Sequence, residues 1–232
     1  KINTILAAVS ALLMLTVTSA NSVEFKAGVS ANGMAAYANA KETLKGSGVK
    51  TGRTTNEEAV LATSFASVFA EISSDEMMGL GIGVSYAPEV ADLAKETRII
   101  QDSSAGADSG NDTGTQSVDA KINDLLSLYV TLPVGGNGAY VKAGYIQATM
   151  VTEESLATGS KYEDIDMTGT QIGAGYEGSL GDMAFWRAEG SYQMWEDVSA
   201  GGSESDGDDT TKNKIEAEMG SVIGSLSIGM KF

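Results

Sequence analysis

The stretch "VIGSLSIGMKF", residues 222–232, decides the fold once its two parities are read apart. Val222, Leu226, Ile228, Met230 and Phe232 share one side of an extended chain, interrupted by Gly224, while Ser225, Ser227, Gly229 and Lys231 share the other. Side chains alternate across a strand, so this is a strand with a bulky apolar face and a small polar one. "MGLGIGVSYAP", residues 78–88, repeats the texture, with Leu80, Ile82, Val84 and Tyr86 opposite Gly79, Gly81, Gly83 and Ser85. A β-sandwich needs large side chains on its inner face. A small barrel in lipid inverts that requirement, with apolar residues outside and a tight polar lumen within.

Further along the chain, eight stretches of strand character alternate with connections of two lengths. Short turns fall at residues 73–76, at "GGNG" 135–138 and at 179–182, each between alternating runs, as hairpins require. Long connections fall at 41–58, 88–120, 151–164 and 196–212, rich in Gly, Ser, Thr, Asp and Asn. A compact soluble domain rarely carries several long structureless loops, whereas outer-membrane barrels have short periplasmic turns and long external loops. "ETRIIQD", residues 96–102, is the one place where a hairpin extension could raise the strand count to ten.

Composition narrows the function. The 232 residues hold 28 Gly, 2 Pro, no Cys and no His, with 15 basic against 31 acidic side chains and a net charge of −16. Without Cys there is no disulfide framework and no thiol nucleophile. The negative charge and the lack of a basic patch argue against nucleic acid as a partner. The acidic residues crowd into the long connections, giving a negative, solvated rim.

"KINTILAAVSALLMLTVTSA", residues 1–20, opens on Lys1, continues through an apolar core from Ile5 to Val17 and ends on small residues. This is the order of a secretory signal peptide, with cleavage expected after Ala20 or, second, after Ser22. Residues 21–232 are then the barrel. No later stretch reaches the 18 consecutive apolar residues of a membrane helix. A strand crosses with roughly 9–11 tilted residues, and the strands must close because lipid satisfies no backbone donor or acceptor.

Together these features resemble small Gram-negative outer-membrane barrels of the OmpA-like and opacity-protein type. The resemblance implies an all-β, eight-stranded antiparallel transmembrane barrel with four long extracellular loops. It also implies that the last strand, through Leu226, Ile228, Met230 and Phe232, is the signal read by the barrel-assembly machinery.

Charges within strands test the parity. A lipid-facing Arg or Lys near the midplane costs roughly 2–4 kcal/mol, so such residues belong in the lumen. Glu71, Lys142, Arg187 and Glu189 are expected to form a lumenal ion-pair network, a feature common in barrels of the resembled type. Lys142 places Val141, Ala143 and Tyr145 outward, whereas Glu71 shares its parity with Phe69 and lies near a turn. Tyr37, Tyr86, Trp186, Tyr192 and Trp195 are candidates for interfacial aromatic girdles.

Chemistry is harder to find. Without His there is no Ser-His-Asp triad and no HExxH site. Carboxylate pairs such as Glu153 with Glu154, or Asp164 with Asp166, read as solvated loop charge. "GAGYEG", residues 173–178, lacks the strand-to-helix setting of a nucleotide loop, and "ESDGDD", residues 204–209, fails the EF-hand spacing. The expectation is therefore a chain that is not an enzyme, with no catalytic residue, cofactor or metal site. Its expected place is the cell outer membrane. Its expected partners are outer-membrane lipid and lipopolysaccharide, the assembly machinery and periplasmic chaperones, and a surface partner at the loops. The expected role is structural or surface-interacting, with a narrow porin-like channel as the alternative.

Overall fold

A computed structural model describes residues 23–43, 54–102, 112–155, 164–201 and 214–232. The expected signal peptide and the acidic segment 204–209 lie outside the described residues. The strands are β1 (Val23–Thr43), β2 (Thr54–Ser74), β3 (Leu80–Asp102), β4 (Asp112–Pro133), β5 (Ala139–Ser155), β6 (Ile165–Leu180), β7 (Ala184–Trp195), β8 (Val198–Gly201) and β9 (Lys214–Lys231). Each long strand pairs antiparallel with its neighbour in sequence, and β1 pairs with β9 to close the sheet.

β8 is not a further stave of the barrel. β7 pairs with β9 up to Met194↔Gly220, and β8 resumes on β9 at Val198↔Ala217 after an offset of one residue. The seventh stave is thus one strand, β7 continued by β8, broken by a bulge at Glu196 and Asp197, where the Glu196 N–H donates to the Thr168 carbonyl at 2.8 Å. The chain is an eight-stranded antiparallel closed barrel. Closure answers the demand that every backbone donor and acceptor in lipid be met by the protein.

The strands are longer than a membrane crossing requires. "ETRIIQD" pairs with the start of β4, from Glu96↔Val118 to Asp102↔Asp112. The connection expected over 88–120 is therefore mostly a β3–β4 hairpin, and no extra pair of strands arises among the described residues.

Side chains sort by height. On the outer wall Val29, Val68, Ile82, Leu128, Val141, Ile172, Leu226 and Ile228 are exposed, as a lipid-facing band requires. Opposite them Asn32, Ser127, Gln171, Ser191 and Ser227 are buried in the lumen. Higher up the pattern reverses. Asn39, Lys41, Glu58, Thr170 and Glu218 are exposed, while Met34, Ile122, Leu125, Ile146, Met167 and Ile223 form a buried apolar cluster inside. The tight polar lumen that the alternation predicts thus gives way, at this level, to an apolar interior. Where water replaces lipid outside, the barrel instead takes the ordinary inside-out order of a soluble protein.

Trp195 follows the same correction. It packs against that inner cluster rather than joining a girdle. Tyr37 and Tyr192 share an outer-face hydrogen bond of 3.0 Å between their hydroxyls.

Small lumenal residues make room for large ones. A Cβ on Gly83 would overlap the ring of Tyr129, which is 5% exposed and has nowhere to go. Gly83→Val is expected to cost about 1–3 kcal/mol, the usual penalty of overpacking. Gly33→Val points into open space and should stay within about 0.5 kcal/mol. Urea midpoints of the refolded variants check both.

Candidate functional site

Near the end that carries the short turns, the lumen is filled by charge. Arg187 on β7 is 6% exposed and Glu71 on β2 is 2% exposed. Their contact is bidentate, with Nη1 to Oε2 at 2.9 Å and Nη2 to Oε1 at 2.7 Å. The third guanidinium donor, Nε, reaches Glu177 Oε2 on β6 at 2.7 Å. Glu177 also accepts from Lys26 Nζ on β1 at 2.9 and 3.1 Å. A buried guanidinium is tolerated only when its donors are matched, and here two carboxylates match them.

Lys142 and Glu189 form a second pair, Nζ to Oε1 at 2.8 Å. The other Glu189 oxygen accepts from the Tyr140 hydroxyl at 2.9 Å. Among the described residues no ion pair joins the two groups. Tyr140 stands between them, its ring centroid 5.4 Å from the Arg187 guanidinium carbon. Of the four charges singled out from the sequence, the structure therefore brings together Glu71 with Arg187 and Lys142 with Glu189.

Aromatic rings complete the packing. Phe69 and Phe185 lie 5.3 and 5.2 Å from the Arg187 guanidinium carbon and meet each other edge-on at 6.1 Å. Lys142 sits 4.3 Å from the centre of the Tyr129 ring. Phe69 shares the parity of Glu71 because both belong inside: the ring lies against the cation that Glu71 neutralises.

Sequence reasoning missed Lys26 and Glu177. The same parity rule finds them, since Lys26 shares its face with Gly28 and Ser30, and Glu177 with Gly173 and Gly175. "GAGYEG" contributes one carboxylate to the lumen. Three cations, Lys26, Lys142 and Arg187, thus face three carboxylates, Glu71, Glu177 and Glu189. The charge balances within the plug.

Arg187 also divides the space. Below it a cavity of about 420 Å³, lined by Lys26, Glu71, Tyr140 and Glu177, opens at the short-turn end. Above it lies a small void of about 50 Å³ among Ser30, Asn32, Ser67, Tyr129 and Ser225. The Ser30 and Ser227 hydroxyls are joined at 2.8 Å, and Ser225 donates to Asn32 Oδ1 at 2.7 Å, so polar groups bond to one another across this level. The Gln171 amide donates to the Ser127 hydroxyl on the same level.

The outward row Leu226, Ile228, Met230 and Phe232 is exposed along β9. At its base the Phe232 N–H donates to the Phe25 carbonyl at 2.9 Å and the Phe25 N–H to the Phe232 carbonyl at 3.2 Å. The Lys231 N–H reaches the Met183 carbonyl at 2.8 Å, so β9 is held to both neighbours down to its last turn.

No family model matches the sequence, and no curated protein matches it. Solved structures do. The outer membrane protein OprG of Pseudomonas aeruginosa is similar over 91% of this chain and 96% of its own, at 15% identity and a TM-score of 0.49. Ail, the attachment invasion locus protein of Yersinia pestis, solved with a heparin analogue, covers 88% of this chain and 99% of its own, at 13% identity and a TM-score of 0.40. The outer membrane protease OmpT of Escherichia coli covers 90% and 97%, at 10% identity and a TM-score of 0.45. The expectation that the chain is not an enzyme does not stand: the similar structures include a protease, and whether this chain catalyses a reaction is not established. Missing His removes particular catalytic constellations and nothing more. In fold, the chain is a closed eight-stranded antiparallel barrel, the architecture that its resemblance to the small OmpA-like and opacity-type barrels implies.

Proposed function

We propose that the chain is a plugged barrel that anchors in the outer membrane and displays its long strands and loops at the cell surface, rather than a water-filled channel. The observation that carries this reading is Arg187, which is held by Glu71 and Glu177 across the lumen and separates the cavity below from the void above. Eight strands enclose a lumen that side chains can fill. Here six charged side chains, four phenylalanine or tyrosine rings and a layer of serines do so.

A surface role is supported by the reach of β3 and β4, of 23 and 22 residues. About 10 residues suffice to cross the hydrocarbon, which leaves roughly 40 Å of paired hairpin, measured along the strands, beyond it. In this reading residues 1–20 are a signal peptide removed on export. The wall meets lipid and lipopolysaccharide, and the outward row ending at Phe232 is what the assembly machinery engages after periplasmic chaperones deliver the chain. The extracellular end meets a molecule borne by a neighbouring cell, a host or a phage.

Planar-bilayer recording of the refolded, heat-modifiable protein tests the plug. The expected trace is flat at the noise level under potentials that resolve a single narrow pore. Reproducible conductance steps would overturn the plugged reading and make the chain a narrow channel.

A further inference from the structure

Above the polar layer lies a second kind of space. A chamber of about 190 Å³ is lined by Met34, Ala36, Leu61, Val90, Met167 and Trp195, among other mostly apolar residues. Its polar edge, Gln193 and Ser221, is internally bonded, the Ser221 hydroxyl donating to Gln193 Oε1 at 2.8 Å. An apolar cavity of about 150 Å³ is already large enough to stay dry and bind a benzene-sized molecule.

The wall beside this chamber is parted. β2 and β3 pair only from Ser74↔Leu80 to Val68↔Tyr86, and above that level β2 has no ladder partner on this side among the described residues. β3 instead follows β4, through irregularities between Glu89 and Ala91 and between Asp92 and Ala94. The cause is legible in the chain. Pro88 has no N–H to offer the ladder and is tolerated only at an edge or a bulge. On the far side of β4 its register to β5 slips between Asn123 and Leu126, with Asp124 at φ 57°, where its carboxylate accepts from the Tyr86 hydroxyl at 2.5 Å.

Side chains tie off backbone groups along the parting. Thr63 Oγ1 donates to the Val90 carbonyl at 3.3 Å, and Asn32 Nδ2 to the Phe65 carbonyl at 3.2 Å. An opening stabilised in this way can persist where no water is present. Its base lies six residues above the Ser74 end of β2, or roughly 15 Å up at the usual rise and tilt, inside an apolar band about 25 Å tall. The lower part of the slit therefore faces hydrocarbon, and Leu61 and Val90, one on each side of it, line the chamber.

We propose that this chamber is a binding site for an uncharged hydrocarbon group, a ring or an alkyl segment, which reaches it through the slit between β2 and β3. The plug below makes it a dead-end pocket rather than part of a through-route. Its apolar lining selects against ions and sugars, and its volume limits the guest to a ring or a short run of methylenes.

Trp195 is a built-in reporter. The only other tryptophan, Trp186, faces outward, so Trp186→Phe leaves the chamber's own signal. The refolded variant is placed in vesicles of phosphatidylcholine, with or without mid-chain bromines on the lipid, and separately titrated with bromobenzene. Quenching of Trp195 by the brominated lipid assigns the guest to a membrane acyl chain. Saturable quenching by bromobenzene alone assigns it to a dissolved hydrocarbon. Either result supports the site if adding Ala36→Phe, or Met219→Phe should the first fail to fold, reduces the quenching at least threefold while the heat-modifiable band is kept. No quenching of Trp195 by either probe, with Trp186 quenched normally in a Trp195→Phe variant, would overturn the proposal. Quenching unchanged by the filling substitutions would overturn it as well.

Discussion

Arg187→Met is expected to destabilise the refolded barrel by about 3–5 kcal/mol, the cost of leaving a buried charge without its partner. Glu71 is 2% exposed, and both of its carboxylate oxygens accept from this guanidinium. Lys26 is already committed to Glu177 and Glu24. The double variant Arg187→Met with Glu71→Leu should recover most of the loss, because an apolar pair of similar volume can replace a buried ion pair at little or no cost. Phe69 and Phe185 already provide apolar surroundings, and Glu177 keeps Lys26. Urea titrations of all four members of the cycle, followed by the heat-modifiable gel shift, measure the coupling. A single Arg187→Met variant with the wild-type midpoint would show that the plug contributes nothing to stability.

The parts of the fold that were legible in the sequence are those that lipid dictates. Leu80, Ile82 and Tyr86 against Gly81, Gly83 and Ser85 can only be read as a wall with a large outside and a small inside. The cost of an Arg in hydrocarbon sends Arg187 and Glu189 to the same side as Ser191. What could not be read was distance in sequence. Lys26 and Glu177 are separated by 151 positions, and nothing local announces that β1 and β6 face one another across a filled lumen.

Above the membrane the guiding rule itself changes. Met34, Ile146 and Met167 share inner parity with Asn32, Gly144 and Gly169, but outside the lipid an apolar interior becomes the favourable one. The slip against β5 between Asn123 and Leu126 then exchanges parities on β4, so that Ile122 and Leu125 both point inward. A period-2 reading fails at a bulge because one extra residue turns every later side chain over. Trp195 was misplaced for a related reason: an aromatic at a strand end fits a girdle and a core equally well, and only the inward parity it shares with Phe185 and Arg187 distinguishes them.

Leu226→Arg carries the second large effect, and it tests the membrane rather than the plug. Leu226 is 67% exposed on the outer wall, paired with Ala31 on one side and Ala188 on the other. It stands six residues above Phe232, roughly 15 Å along the normal, near the middle of an apolar band about 25 Å tall. In water such an exposed substitution would stay within about 0.5 kcal/mol, but at the bilayer midplane it should cost about 2–4 kcal/mol. Phe232→Arg, at the interface, should cost only about 0–1 kcal/mol. Folding the chemically unfolded chain into preformed vesicles, with urea midpoints read by Trp fluorescence, keeps the assembly machinery out of the comparison. Unequal midpoints in this order place the row of Leu226, Ile228 and Met230 in hydrocarbon. Equal midpoints would mean that water reaches this face, and the reading of small residues inside and large ones outside would lose its physical cause.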